Sequence, residues 1–303
     1  MNVDTTMTRS RRTLLTNAGS QIVANKFIPN REPVAVIVIA PAMAVQQAFY
    51  APYAEYLANS GYTVWTFDYS GIGESWSGPL RNCKADISDW VSDNYNFVVE
   101  IASRENDGLP VFIVGHSLGG QTAPLLPSAH RVSGLVNIAV GSGSTPHLQP
   151  SLKRTTPFLW YVAAPVLCTL LGYFPGKFIN IVGDVPRRAL MQWRRWCLTP
   201  EYLLTGERGG REAYARALYP VFSLTFSDDE LLTVDGSKMM HDAYRSTNVE
   251  YRTIEPADFG MSRIGHFGFF KPCNGSDLWP VVSDWLHYQT KTKTTWSKQS
   301  DSC

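Results

Sequence analysis

An α/β fold, with a largely parallel sheet and helices on both of its faces, is predicted by three observations. Short, nearly charge-free apolar runs recur at Val34 to Ala40, Thr63 to Phe67, Val111 to Val114 and Leu135 to Val140, as strands buried on both faces read. Stretches of helical period, Ala51 to Asn59 and Lys84 to Ser103, lie between them, and that alternation means crossover connections. The chain has 303 residues, 44% hydrophobic and 17% charged, enough to bury a sizeable core.

In chain order, Thr13 to Pro29 alternates weakly around the turn residues Asn17-Ala18-Gly19-Ser20, which predicts an antiparallel hairpin at a sheet edge. Val34 to Ala40 is the strongest buried-strand signal and stops at Pro41. The helix Ala51 to Asn59 is closed by Gly61, a residue suited to the left-handed position after a helix. Lys84 to Ser103 places Ile87, Trp90, Val91, Tyr95, Val98 and Ile101 on one helical face. From about Thr145 to Tyr219 the alternation fails and no buried strand is evident, and strands return at Pro220 to Thr225 and Val249 to Ile254 before a last helix, Leu278 to Tyr288. The economical division is a flexible tail over 1–12, an α/β core over 13–147 and 217–290, an inserted helical lid over 148–216, and a polar tail over 291–303.

Lys plus Arg (27) nearly balances Asp plus Glu (26), so there is no global basic field of the kind nucleic-acid binding uses. The five scattered cysteines show no C-x-x-C spacing, which reads as free thiols in a reducing compartment and gives no metal site. No apolar run of signal-peptide length follows Arg12, so a cytoplasmic location is expected. Phe158 to Phe174 carries no charge but is interrupted by Pro165 and Gly172; it falls short of the roughly 20 residues a spanning helix needs. A buried or substrate-lining helix is expected there, with contact to a membrane surface as an alternative.

The chemistry centres on Gly115-His116-Ser117-Leu118-Gly119, directly after the strand Val111 to Val114. Small residues flanking a serine at that spacing allow a tight strand-to-helix turn. Such a turn exposes the hydroxyl and aims the following backbone N–H, that of Leu118, at whatever the serine attacks. A serine hydroxyl needs a base, and the base an orienting acid. Among six histidines, His266 stands in a glycine-flanked loop, Gly265-His266-Phe267-Gly268, after the strand Val249 to Ile254. That places it at the sheet edge where Ser117 emerges. Asp228-Asp229-Glu230 follows the strand Pro220 to Thr225 and offers the acid, while Asp228 or Asp229 also suits the cap of a helix from Leu231 onward.

With these residues in place, the chain resembles the α/β-hydrolase superfamily over roughly residues 13 to 290, through the elbow, the Asp68 to Ser75 stretch, the acid loop and the His266 loop. The resemblance implies the triad order Ser117, Asp229, His266. Aligning the acid loop on Pro220-Val221 favours Asp229 over Asp228, although Phe226 stands where a glycine is usual. It further implies that Met43, in Pro41-Ala42-Met43, supplies a second oxyanion N–H beside that of Leu118. Asp68 is implied to hold a loop rather than to react. The fuller pattern, with the Trp193 to Trp196 cluster, resembles a little-characterised branch of predicted serine hydrolases.

The expected reaction is hydrolysis of a carboxylic ester or related acyl bond of a small, apolar molecule through an acyl-enzyme, with no cofactor and no metal required. An acyltransferase or thioesterase with the same triad, and a ligand-binding protein on the same fold, are the alternatives. Trp193, Trp196 and Phe267 are the candidate substrate contacts; the oligomeric state is left open by the sequence.

Overall fold

A computed structural model of the chain describes residues 7–178, 183–245 and 248–300, with side chains up to residue 292. Its main sheet has eight strands: β1 (Met7–Leu15), β2 (Gln21–Pro29), β3 (Ala35–Ala40), β4 (Tyr62–Phe67), β5 (Val111–His116), β6 (Val132–Ile138), β7 (Val221–Phe226) and β8 (Val249–Ile254). Their spatial order is β1-β2-β4-β3-β5-β6-β7-β8. The β1–β2 and β2–β4 pairs are antiparallel, and the remaining neighbours run parallel.

The uninterrupted apolar runs are explained by the two-residue period of a strand. On β3, Val36, Val38 and Ala40 enter one core cluster while Ala35, Ile37 and Ile39 enter the other, on the opposite face. Val111 and Ile113 of β5 divide from Phe112 and Val114 in the same way. Every residue of β3, β4, β5 and β7 is buried, so none of these strands needs a polar face. The edge strand β1, by contrast, is charged and mostly exposed, which blunts pairing with another chain.

The N-terminal hairpin begins earlier than its sequence suggests. Residues 7–12, expected in a flexible tail, form the first part of β1, and their arginines are tied to the body of the protein. Arg9 donates to Asn25 and lies over Phe27, Arg11 pairs with Glu74, and Arg12 pairs with Glu105. Residues 1–6 lie outside the described residues. The expected helix over 84–103 is a capped turn at Ile87–Asp89, a π-helical segment at Trp90–Tyr95 and an α-helix at Asn96–Arg104. Asp86 and Asp89 cap its start reciprocally. The last helix runs from Gly275 to Ser300, well past Tyr288, so residues 291–300, expected as a polar tail, are helical.

Between β6 and β7 the chain builds helices at Pro150–Phe158, Ala164–Leu171, Arg187–Cys197 and Gly210–Arg216, with a two-residue antiparallel ribbon, Tyr173–Phe174 on Val185–Pro186. A π-helical segment, Leu159–Ala163, joins the first two helices into one rod, and Gly172 ends it in the left-handed conformation. Among the described residues no helix is long and apolar enough to cross a membrane. Cys83, Cys168 and Cys197 are buried free thiols and Cys273 is an exposed one; Cys303 lies outside the described residues.

Candidate active site

Strand β5 delivers Ser117 into a backbone conformation of φ 48° and ψ −114°, which residues with a Cβ adopt only when the surroundings enforce it. Its N–H donates to the Ile138 carbonyl of the neighbouring strand at 3.0 Å. Its own carbonyl accepts from Gly120 and Gln121 at 3.0 and 2.9 Å, opening the helix Leu118–Thr122. The glycines permit this because no Cβ fits. One at Gly115 would collide with the Gly120 backbone, and one at Gly119 with the backbone of Ala40 at the end of β3. The turn is therefore wedged against the adjacent strand as well as against itself.

His266 and Asp229 are both buried, and His266 Nδ1 lies 2.8 Å from Asp229 Oδ2. An ionised carboxylate only accepts, so the Nδ1–H donates and Nε2 is left with its lone pair. The second carboxylate oxygen of Asp229 accepts from the N–H groups of Leu231 and Leu232 at 2.8 and 3.0 Å. Its neighbours do something the sequence did not disclose. Asp228 accepts from the Ile264 and Gly265 N–H groups at 2.8 and 3.0 Å, and Glu230 accepts from the His266 N–H at 2.9 Å. Three consecutive acids thus clasp the histidine loop. With Asp229 so engaged, the following helix starts not at Leu231 but at Val234, under a Thr233 cap.

A second polar chain runs behind the serine. The Ala42 N–H donates to the Tyr50 hydroxyl at 2.9 Å, Tyr50 meets His116 Nδ1 at 2.9 Å, and His116 Nε2 donates to the His266 carbonyl at 3.0 Å. A carbonyl can only accept, so Nε2 carries the proton and Nδ1 accepts from Tyr50. Burial, reinforced by the neighbouring His266, pushes the His116 pKa well below the ordinary histidine value. Asp68 is equally enclosed. Its carboxylate accepts from the Gln47 and Glu74 N–H groups at 2.7 and 3.0 Å and from the Gln47 side chain at 3.3 Å, which ties two loops together. Burial raises its pKa.

Ser117 and His266 line one narrow cavity of about 130 Å³ together with Met43 and Leu118. The insertion closes it with Leu152, Thr156, Leu159, Trp160, Trp193 and Tyr202. Some of its polar atoms satisfy one another, whereas the buried Thr156 hydroxyl and Trp160 Nε1 have no partner among the described residues. Trp193 Nε1 donates to the Tyr202 hydroxyl at 2.8 Å, Tyr202 donates to Gln121 Oε1 at 3.1 Å, and Gln121 Nε2 donates to the Gly141 carbonyl at 2.7 Å. Tyr202 holds a positive φ of 54°.

The family model described as Serine aminopeptidase, S33 matches residues 31–172, which include Ser117 and end inside the insertion. A monoacylglycerol lipase of Mycolicibacterium smegmatis is 32% identical over 113 residues, covering 37% of this chain and 39% of that protein, so the likeness spans well under half of the lipase. A soluble variant of monoglyceride lipase from Saccharomyces cerevisiae, solved with a substrate analogue, superposes with a TM-score of 0.68 at 17% identity, covering 95% of this chain and 97% of the other. An esterase from Pyrococcus furiosus superposes at 0.62 with 11% identity, covering 96% and 94%. The strand order and these likenesses together decide the fold. The chain has the α/β-hydrolase fold.

Within this α/β-hydrolase fold, the structure brings Ser117, His266, Met43, Leu118 and Trp193 to the cavity, with Asp229 behind His266. Two of the expected substrate contacts lie elsewhere. Trp196 is buried against Tyr202 with its Nε1 bonded to Glu207 at 3.0 Å, so it supports the insertion from within. Phe267 packs on Phe49 and His116 and borders a separate depression beside Glu230 and Arg263. Adjacency in sequence to a site residue misleads here. Trp196 lies about 60° round the helix from Trp193 and one turn further along it, which carries it past the cavity wall to Tyr202 and Glu207; a tight loop turns neighbouring side chains in different directions. The polar chains through Tyr50 and His116, and through Tyr202 and Gln121, join residues far apart in sequence that no spacing rule connects.

Proposed function

We propose that this protein is a serine hydrolase that cleaves a carboxylic ester of an apolar small molecule. The observation that carries the reading is the buried His266–Asp229 pair at 2.8 Å, opening on the same cavity as a serine held in an enforced turn. In the cycle, His266 Nε2 takes the proton of Ser117 as Oγ attacks the ester carbonyl. The N–H groups of Met43 and Leu118 hold the oxyanion. His266 then protonates the departing alcohol, and an acyl-enzyme is left. Water, deprotonated by the same nitrogen, attacks that ester, and the acid departs as Ser117 regains its proton. Asp229 keeps the imidazole in the Nδ1–H tautomer and balances its positive charge.

The insertion over residues 148–216 serves as the lid of this site. Leu152, Leu159, Trp160 and Trp193 give the acyl side an apolar wall, in which Trp193, Tyr202 and Gln121 are already bonded in series. The relatives named monoacylglycerol and monoglyceride lipases make a glycerol ester of a single acyl chain the first substrate class to offer. The test is a panel of monoacylglycerols and p-nitrophenyl esters of graded chain length, with fluorophosphonate labelling. Ser117→Ala is expected to abolish both turnover and labelling while the protein stays folded. Retained turnover in that variant would overturn the assignment.

A further inference from the structure

The rod formed by residues 150–171 has two apolar faces, and the fold uses one of them. Leu152, Leu159 and Trp160 point into the cavity. Phe158, Val162, Val166 and Leu170, four apart along the rod, form a ridge on the other side with Tyr161 beside it. All five are exposed, Leu170 by 75% and Phe158 by 66%. Scattered surface hydrophobics are ordinary, but an unbroken apolar ridge marks an interaction surface.

Charge identifies what that surface fits. The chain carries no Asp or Glu from Gly108 to Gly183, whereas its overall charge is balanced. Cations stand around the ridge. Exposed Lys153 and Arg154 lie one turn before Phe158. The Arg194 guanidinium lies 5.5 Å from the Tyr161 ring centre. Arg81 sits against Gly172 at the far end of the rod, and exposed Lys177 follows it. An apolar strip on a rod with no acid of its own, with cations at its rim, suits a layer that offers hydrocarbon beneath anionic headgroups. A protein surface of matching shape would have to supply an acidic rim of its own.

We propose that this face of the insertion docks on an anionic lipid surface. Docked there, the rod lies between lipid and cavity, and a helix is only about 10 Å across. The surface needs no chemistry at Ser117, so it is tested on the inactive Ser117→Ala protein. Vesicles of phosphatidylcholine alone, and of phosphatidylcholine mixed equally with phosphatidylglycerol, are sedimented with the protein at low and high salt. Binding about tenfold tighter to the mixed vesicles, weakened by salt, is the expected result. Leu170→Glu in that background is expected to abolish binding, and Lys153→Glu with Arg154→Glu to remove the preference for anionic lipid. In the otherwise wild-type protein the same substitutions are expected to leave turnover of a soluble short-chain ester unchanged. Equal binding to both vesicle types, or binding to neither, overturns the proposal. So does a dimer in solution that Leu170→Glu dissociates, because the face is then an interface between copies of this chain.

Discussion

His116 Nε2 donates to the backbone carbonyl of His266 across 3.0 Å, so the residue before the serine holds the main chain of the histidine that faces it. Through Tyr50 the same imidazole reaches the Ala42 N–H, one residue before Met43. Serine turn, histidine loop and the loop of Met43 are therefore joined by one buried chain of hydrogen bonds.

Tyr50→Phe removes the middle of that chain and leaves the Ala42 N–H and His116 Nδ1 unpaired in the core. Each such group costs about 1–3 kcal/mol. A lower Tm is expected, with kcat falling about tenfold and KM nearly unchanged, because the loss falls on the positioning of groups rather than on substrate contacts. Steady-state kinetics and thermal melts check this; a rise in KM at constant kcat would contradict it.

The acid run separates two roles. Asp229→Asn is expected to lower kcat by about three to four orders of magnitude with little change in Tm, since it disturbs the histidine tautomer. Asp228→Asn weakens its grip on the Ile264 and Gly265 N–H groups, and is expected to lower Tm with a kcat loss of about tenfold. Comparing the two variants on one soluble ester settles the assignment, and a reversed ranking would move the triad acid to Asp228.

Tyr202→Phe deprives Trp193 Nε1 of its acceptor and Gln121 Oε1 of its donor, placing two unpaired groups in the cavity wall. An acyl chain long enough to reach them is expected to lose about tenfold in kcat/KM, while an acetate ester changes by less than about twofold. A uniform loss across chain lengths would show that Tyr202 acts on the insertion's stability instead.

Stability is expected to fall with acid through a buried histidine. His241 is buried between Asn137 and Ser237, and burial lowers its pKa from 6.5 to about 4. The unfolded chain then takes up a proton that the folded one refuses, so stability is full above pH 6.5 and is lost as the pH drops from 6.5 to about 4. The loss from this group amounts to about 3 kcal/mol. Buried His116 acts in the same direction. Denaturant melts at pH 7 and pH 5 measure it, with His241→Gln expected to flatten the dependence; an unchanged slope would exclude His241 as the source.

Much of this was legible in the chain. The parallel strands announce themselves because burial on both faces removes polar residues from them, and Ser117 and His266 because tight turns demand glycine nearby. The acid was harder to read. Asp228, Asp229 and Glu230 are chemically equivalent on paper, and only the loop's arrival distinguishes the carboxylate facing Nδ1 from the two that hold main-chain N–H groups. Of the two tryptophans picked out in the insertion, Trp193 reaches the cavity wall and Trp196, one turn further along the helix, does not, in a segment whose boundaries no periodicity marked. The ends misled for opposite reasons. Residues 7–12 are polar because an edge strand is, and residues 291–300 are helical without an apolar stripe to show it.

The clasp on the histidine loop divides the burden of inheritance unequally. What Ile264, Gly265 and His266 offer the acids is a main-chain N–H, which every residue but proline possesses, whereas what the acids offer is side chain. Ile264 can therefore be exchanged for a side chain of similar volume without loss of the clasp, whereas exchange of Asp228 or Glu230 removes it. An acid in either position works on the fold of the loop, not on the bond to be cleaved.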